Sequence, residues 1–420
     1  MVRDGSISRT GRSRLPPPQP PRPLARADAE ELREDPPGAP RTVVFGFLDL
    51  GEGGAQRLTL ATCAALDRRR YRPVLLCARG DGSLVEPARA LGLPVRALGR
   101  LRRPFDLAAI ALLAEELRDL GAAIVHVPLY SRASPYLRFA AHLAGVPLVV
   151  VQDWSLPGRL PALRRTADRL LRGGARFVAA SRAQERELRQ SGVPAAAIAV
   201  VHAGIDVERF GSGAEARPAA RAALGLPADS ADAPVALVAA RLAPAKGHDD
   251  LLAVLPAVLA SAPRLQVLLA GEGPLAGALA ERLRREGLEG SVRLLGHVEE
   301  MAELYAAADF VVLPSRVEGL PSVLLEAYAA RRAVVATDVG GIPEALTDGM
   351  EGRLVPAGDR AAVAAAIVEL ANAPALREAM AARGRARVER DFRMDPSTRR
   401  LEAIYESWLA AAERRLDRAC

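Results

Sequence analysis

From Arg41 onward, short apolar runs alternate with longer stretches rich in Ala, Leu and Arg. The runs are Thr42–Phe45, Pro73–Leu76, Ala123–Val125, Pro147–Val151, Phe177–Ala179 and Ile198–Val201. They are continuous rather than alternating, as in parallel strands covered on both faces. The rhythm breaks between Glu208 and Pro234, where Gly, Ala, Pro and Asp crowd together. It resumes with Val235–Val238, Leu265–Leu269, Val292–Leu295, Phe310–Leu313 and Ala333–Ala336. Two series of βα units predict an α/β protein of two Rossmann-like domains, with ligands in the cleft at the carboxyl ends of the strands. The expected boundaries are an N-terminal domain over 41–208, a linker over 209–233 and a C-terminal domain over 234–395. An Arg-rich helix over 396–420 is expected to pack back on the first domain. Residues 1–40, with the run Leu15–Pro23, are too rich in Pro and Arg to bury a core and are expected as a disordered tail.

Composition narrows the partners. Half of the 420 residues are hydrophobic, and the net charge is +7, which favours anions: nucleotide sugars, anionic headgroups or nucleic acid. Nucleic acid ranks last, because there are no zinc-finger cysteines, no aromatic RNP strand and no clustered Arg/aromatic platform. Cys63, Cys77 and Cys420 have no regular spacing, which speaks against a disulfide framework or metal site and fits a reducing cytoplasm. No uncharged apolar stretch reaches ~18 residues, and the N-terminus lacks an apolar core segment, so neither a membrane span nor a signal peptide is expected. Arg100, Arg102, Arg103, Arg159, Arg164 and Arg165, with Trp154, Leu156 and Leu160, form a basic, apolar mix. It reads as a peripheral contact with an anionic membrane at its cytoplasmic face, or as an ordinary solvated face of an Arg-rich protein.

The candidate chemistry begins with Lys246, the only lysine in the chain. With Arg241 it follows the apolar run at Val235 and precedes Gly247 and a helical pattern. A fork, a point charge and helix amides can hold a diphosphate; a surviving surface lysine is the alternative. Glu318 lies after the run Phe310–Leu313, just before Gly319-Leu320-Pro321. Pro321 suits a first helical position, and Glu326 falls about a turn and a half inside that helix, leaning toward the same mouth. Two carboxylates there can accept from sugar and ribose hydroxyls, while the Gly319 and Leu320 amides meet phosphate. Gly271-Glu-Gly273-Pro-Leu-Ala276 also fits a dinucleotide fingerprint, but the next strand ends at Leu295-Gly296-His297 with no acid for a ribose. A tight turn is the better account. Asp206 reads as a helix or turn cap, and Glu344 as a cap or a site residue.

This constellation resembles the retaining glycosyltransferases of family 4, which have the GT-B fold. Two glutamates separated by seven residues match Glu318 and Glu326, and the family's diphosphate-binding Arg and Lys match Arg241 and Lys246. Further matches are the loop Gly51-Glu-Gly53-Gly54, the Gly204-Ile205-Asp206 turn, Gly271 with Gly273, Gly296-His-Val298, and Val339-Gly-Gly-Ile-Pro-Glu344. Together they cover roughly Val43 to Asp391. The resemblance implies Glu318, Arg241 and Lys246 as catalytic residues. It implies Gly54, Gly271, Gly273, Gly296, Val298, Gly319, Leu320 and Glu326 as donor-binding residues, with Gly53, His126 and Glu344 as further candidates. It also implies that Glu318 binds the donor sugar and Glu326 the ribose, with the acceptor on the domain over 41–208 and the nucleotide sugar on the domain over 234–395.

Departures are present. Where the family often has two histidines after the fourth strand, only His126 stands here, in Ile124-Val-His126-Val-Pro128, and it reads equally as a packing residue. Gln56 replaces a Glu and Ala203 an Asn. No Asp-x-Asp occurs, so metal and cofactor are not expected, and Arg241, Lys246 and helix amides are expected to offset the leaving diphosphate. Retention implies the family's front-face reaction, in which the leaving phosphate helps deprotonate the acceptor. The expected function is transfer of a sugar from a nucleotide diphosphate sugar, with UDP first, to a saccharide or lipid-linked acceptor in cell-surface glycan synthesis. A sugar-nucleotide epimerase and a donor-binding pseudoenzyme are the alternatives.

Overall fold

The computed structural model describes residues 39–416 except 52, 81, 100–105, 129–133, 154–173, 212–215 and 228–232. Most of the expected tail, and the basic patch around Trp154, lie outside the described residues.

The first sheet holds β1 (Arg41–Phe47), β2 (Tyr71–Cys77), β3 (Val95–Ala97), β4 (Ala122–Val127), β5 (Leu148–Asp153), β6 (Ala175–Ala179) and β7 (Ile198–Val200). Their order is β3-β2-β1-β4-β5-β6-β7 and every pairing is parallel. Helices α1 (Gly54–Ala65), α2 (Val85–Ala90), α3 (Leu107–Asp119), α4 (Ser134–Leu143) and α5 (Arg182–Gln190) connect these strands. Successive β1 side chains enter opposite layers. Val44 packs with Leu113 and Leu137, whereas Val43 and Phe45 pack with Leu60, Cys63, Leu401, Tyr405 and Leu409. Strands buried on both faces need uninterrupted apolar sequence, which is why these runs do not alternate.

The second sheet holds β8 (Val235–Ala239), β9 (Gln266–Ala270), β10 (Val292–Gly296), β11 (Phe310–Leu313), β12 (Ala333–Thr337) and β13 (Gly352–Val355). Its order is β10-β9-β8-β11-β12-β13, again parallel. Around it lie α6 (Arg217–Ala223), α7 (His248–Ser261), α8 (Ala276–Arg285), α9 (Met301–Ala307), α10 (Ser322–Ala329), α11 (Ile342–Ala345), α12 (Arg360–Asn372) and α13 (Pro374–Asp391). Within 209–233, read from the sequence as a linker, α6 is part of the second domain. Its Arg221 is fully buried and donates to Asp309 at 2.6 Å and to the Ala307 carbonyl at 3.0 Å.

The last helix, α14 (Met394–Leu416), returns to the first domain, where Leu401, Tyr405 and Leu409 complete the core beneath β1. The chain therefore crosses between domains twice, and the crossings touch: Ile205 N donates to Phe392 O at 2.8 Å and Met394 N to Ile205 O at 3.0 Å. A side chain at Gly204 would sit 2.7 Å from Met394 Cα, so glycine is required there. In each sheet the strand order reverses once, at β1/β4 and at β8/β11. Loops leaving such a switch point form a ready crevice.

Candidate donor site at the interdomain cleft

Both candidate cations and the first candidate carboxylate lie on loops leaving the β8/β11 switch point. The loop after β8 carries Arg241 and then Lys246 before α7. Gly247 has φ 70°, and a Cβ there would fall 1.8 Å from Pro314 O, so only glycine lets the β8 and β11 loops meet. Arg316 N donates to Ala245 O at 2.8 Å and stitches the loops together.

That contact brings Lys246 to Glu318. Lys246 Nζ donates to Glu318 Oε1 at 2.6 Å, and Ser315 Oγ donates to the same oxygen at 2.7 Å. The Glu318 side chain is 8 % exposed and that of Lys246 27 %, so the carboxylate is held while the ammonium still reaches the cleft. Arg241 is exposed and has no charged partner among the described residues. Behind Glu318, a Cβ on Gly340 would fall 1.8 Å from Glu318 O, and Gly341 N donates to Gly319 O at 2.5 Å.

Helix α10 begins at Ser322, with Pro321 in extended geometry as its cap rather than its first residue, a shift of one position from the sequence expectation. Gly319 and Leu320 lead into it; the Leu320 side chain is buried in the core and contributes packing. Glu326 lies in the second turn and accepts from Tyr305 OH at 2.7 Å. Burial pushes the Glu326 pKa up, while Tyr305, Ser322, Arg209 and Arg57 pull it partly back. Arg57 and Arg209 belong to the first domain and its crossover, so positive charge from the opposite side of the cleft acts on Glu326.

Gly53 caps α1, and a Cβ on Gly54 would lie 3.4 Å from Ser322 Oγ. The amide ends of α1 and α10 thus face each other across the cleft. Two helix N-termini, a free guanidinium and an ammonium can hold an anion, and two carboxylates beside them can accept from hydroxyls. Gly271 and Gly273 serve this site from behind. Side chains there would fall 2.1 Å from Ala240 O and 2.3 Å from Leu242 O, so their turn seats directly on the Arg241 loop. Gly271 N donates to Gly296 O at 2.7 Å, and Val298 packs against the core cluster that includes Tyr305 and Leu324. Among the described residues, no three His, Cys, Asp or Glu side chains converge as a metal set.

Two candidates fall elsewhere. His126 is fully buried in the first domain, stacked on Phe45 with 5.0 Å between ring centroids. Its Nε2 donates to Gln152 Oε1 at 2.9 Å, leaving Nδ1 to accept from Tyr405 OH. Burial lowers its pKa to about 3, against the weaker opposing pull of Gln152, so it is neutral at physiological pH. With both nitrogens used inside the core, His126 is a packing residue and not part of the cleft. Glu344 is a cap, but one that crosses between domains: its oxygens accept from Arg182 N and Ala183 N, each at 3.0 Å, and from His202 Nε2 at 2.8 Å. Asp206 is a local cap, accepting from Glu208 N at 3.1 Å and Arg209 N at 3.2 Å. Ser315, Tyr305, Arg57 and Arg209 escaped sequence reasoning. Only Ser315, three residues before Glu318, had a positional signal.

Comparison with known proteins agrees with this geometry. A family model described as Glycosyltransferase Family 4 matches residues 52–209, and one described as Glycosyl transferases group 1 matches residues 233–373. The chain belongs to the family 4, group 1 glycosyltransferases. It is 35% identical over 233 residues to a D-inositol 3-phosphate glycosyltransferase of Streptomyces avermitilis, covering 52% of this chain and 48% of that one. It is 36% identical over 214 residues to a GDP-mannose-dependent monoacylated alpha-(1-6)-phosphatidylinositol monomannoside mannosyltransferase of Corynebacterium glutamicum, covering 49% and 55%. The chain therefore spans about half the length of the curated relatives it matches. The fold matches Anabaena HepE, solved with UDP and glucose, with a TM-score of 0.76 at 20% identity over 87% of this chain and 99% of that one. It also matches sucrose-phosphate synthase from Thermosynechococcus elongatus, with a TM-score of 0.73 at 21% identity over 88% and 100%. The family 4 chain thus has the GT-B fold.

Proposed function

We propose that this chain transfers a sugar from a nucleotide diphosphate sugar, with UDP as the first nucleotide to test, to a saccharide or lipid-linked acceptor, with retention of configuration. The observation that carries this reading is the Lys246–Glu318 pair at the mouth of α10, beside the free Arg241. In this reading the donor diphosphate takes Lys246 and Arg241 as counter-ions, and Glu318 turns to the sugar hydroxyls. Glu326 accepts from the ribose. Cations fixed where the leaving diphosphate gains charge stabilise the transition state without a metal ion. The leaving phosphate serves as base for the acceptor hydroxyl, so His126, neutral and buried, has no part in the step.

The acceptor is proposed to enter through an opening of about 860 Å³ between α5 and the Glu318 loop, lined among others by Arg186, Gln190, Val317 and Pro343. Mixed polar and apolar walls suit a saccharide. The relatives named for inositol phosphate and phosphatidylinositol mannoside place anionic cyclitols beside saccharides in the acceptor panel. No helix among the described residues is long and apolar enough to cross a membrane. A lipid-linked acceptor is proposed to be met at the membrane surface, from the cytoplasmic side, in cell-surface glycan synthesis.

The test incubates the protein with UDP-, GDP- and ADP-sugars, with and without these acceptors, and follows products by mass spectrometry. A glycosylated acceptor formed with retention supports the reading. An altered sugar formed from donor alone would replace transferase with epimerase, and binding without turnover would mark a pseudoenzyme.

A further inference from the structure

Helix α5 of the first domain is finished by the second. The first four amides of a helix lack partners within it. In α5, Glu185 N makes the first bond of the helix, to Ser181 O at 3.0 Å, and Gln184 N, ahead of it, donates to Ser181 Oγ at 3.1 Å. The first two amides of the helix, Arg182 N and Ala183 N, donate to the two oxygens of Glu344, each at 3.0 Å. The same carboxylate accepts from His202 Nε2 at 2.8 Å, and His202 O accepts from Ser397 Oγ at 2.7 Å, at the second crossover. A carboxylate on helix amides is a charge-assisted contact at the favourable end of the dipole. These hydrogen bonds outweigh burial and hold the Glu344 carboxyl below its ordinary pKa.

On its other side, Glu344 belongs to the loop that backs Glu318. A Cβ on Gly341 would fall 2.7 Å from Ser181 Cβ, so the cap of α5 rests directly on the glycine loop. Gly341 N in turn holds Gly319 O at 2.5 Å, and Gly340 abuts Glu318 O. A rotation that parts the domains must break the Glu344 bonds, and the glycine loop behind Glu318 then loses its hold on α5.

We propose that Glu344 is a positioning residue: it latches the closed cleft by completing α5, and through Gly340 and Gly341 it sets the Glu318 backbone for the donor sugar. The proposal rests on the donor-site reading of Glu318. Its structural half is tested without activity, by deuterium exchange at Arg182 and Ala183 and by small-angle scattering, on wild type, Glu344→Ala, Glu344→Asp, Arg182→Ala and Arg182→Pro. Proline is tolerated at a first helical position, and Ser181 before it is already extended, so Arg182→Pro deletes one latch donor and keeps the helix. Glu344→Ala is expected to speed exchange at both amides by about tenfold or more and to enlarge the particle. Arg182→Pro should speed Ala183 exchange, whereas Arg182→Ala should leave it at the wild-type level, and Glu344→Asp should fall between wild type and Ala. With UDP-glucose and GDP-mannose tried in turn as donors, Glu344→Ala should lower kcat about tenfold with the donor KM within about threefold. Wild-type exchange and scattering in Glu344→Ala would overturn the latch, as would a fall in kcat without either change. If no donor is turned over by wild type, the donor-site reading fails, while exchange still decides the latch.

Discussion

Lys246, the only lysine of the chain, is ion-paired to Glu318 at 2.6 Å, so the two residues assigned to diphosphate and sugar neutralise each other before a donor arrives. Donor binding therefore exchanges one counter-ion for another. Lys246→Ala should weaken UDP binding by the equivalent of about 2–5 kcal/mol, because it removes a phosphate partner and strands a buried carboxylate. Lys246→Arg should restore only part, since a planar fork does not reproduce a point charge packed between two loops. Isothermal titration with UDP measures both.

Glu318→Gln should separate sugar from nucleotide. It frees Lys246, so UDP affinity should hold or rise, while turnover of the UDP-sugar should fall by about 100-fold or more as the sugar loses its carboxylate. Equal losses of UDP affinity and turnover would contradict the division of roles.

Glu326 carries a pH signature. Burial raises its folded-state pKa above the ordinary value, so its contribution to stability is fully present below the unfolded pKa and is lost as pH rises through the folded one. Glu326→Gln keeps an acceptor for Tyr305 OH and removes the charge. Its melting temperature relative to wild type should therefore increase from about pH 4 to pH 8, while nucleotide binding weakens. A constant difference across that range would remove the buried-charge argument.

His126 has the opposite sign. Its pKa is pushed down to about 3, so folding favours the neutral ring. Stability should be complete above the unfolded value of about 6.5 and decline below it, by up to about 1.4 kcal/mol per pH unit from this one group. In urea titrations His126→Asn should flatten that acid slope, and it should leave the pH profile of turnover unchanged.

Much of this was legible in the sequence because parallel strands buried on both faces leave continuous apolar runs. β1, β4, β8 and β11 announce themselves that way, and the switch points between them place Arg241, Lys246 and Glu318 on neighbouring loops. Two edge strands, β3, Val-Arg-Ala, and β13, Gly-Arg-Leu-Val, were not anticipated, because at three and four residues with an arginine inside neither leaves an apolar run long enough to stand out. Helix α6 was hidden because its buried members are a small residue, Ala220, and an arginine, Arg221, whose partner, Asp309, lies 88 positions away. The Glu344 latch was illegible for the same reason: its acceptors and donors belong to different domains, and no local spacing records them. The role of His126 turned on Tyr405 from the far end of the chain, which no reading of the fourth strand supplies.

Turnover should survive an excess of chelator, since the diphosphate is held by protein cations and helix amides. Assays of wild type with and without EDTA should agree within about twofold. Loss of activity restored by magnesium or manganese would overturn the metal-free reading.

The central claim is that Lys246 and Arg241 hold a donor diphosphate at the mouth of α10. The most direct measurement is calorimetric binding of UDP and GDP to wild type, Lys246→Ala and Arg241→Ala. The account predicts that wild type binds at least one nucleotide and that each alanine variant, still folded by circular dichroism, binds it about 30-fold or more weakly. Affinities within about twofold of wild type in both variants would contradict it.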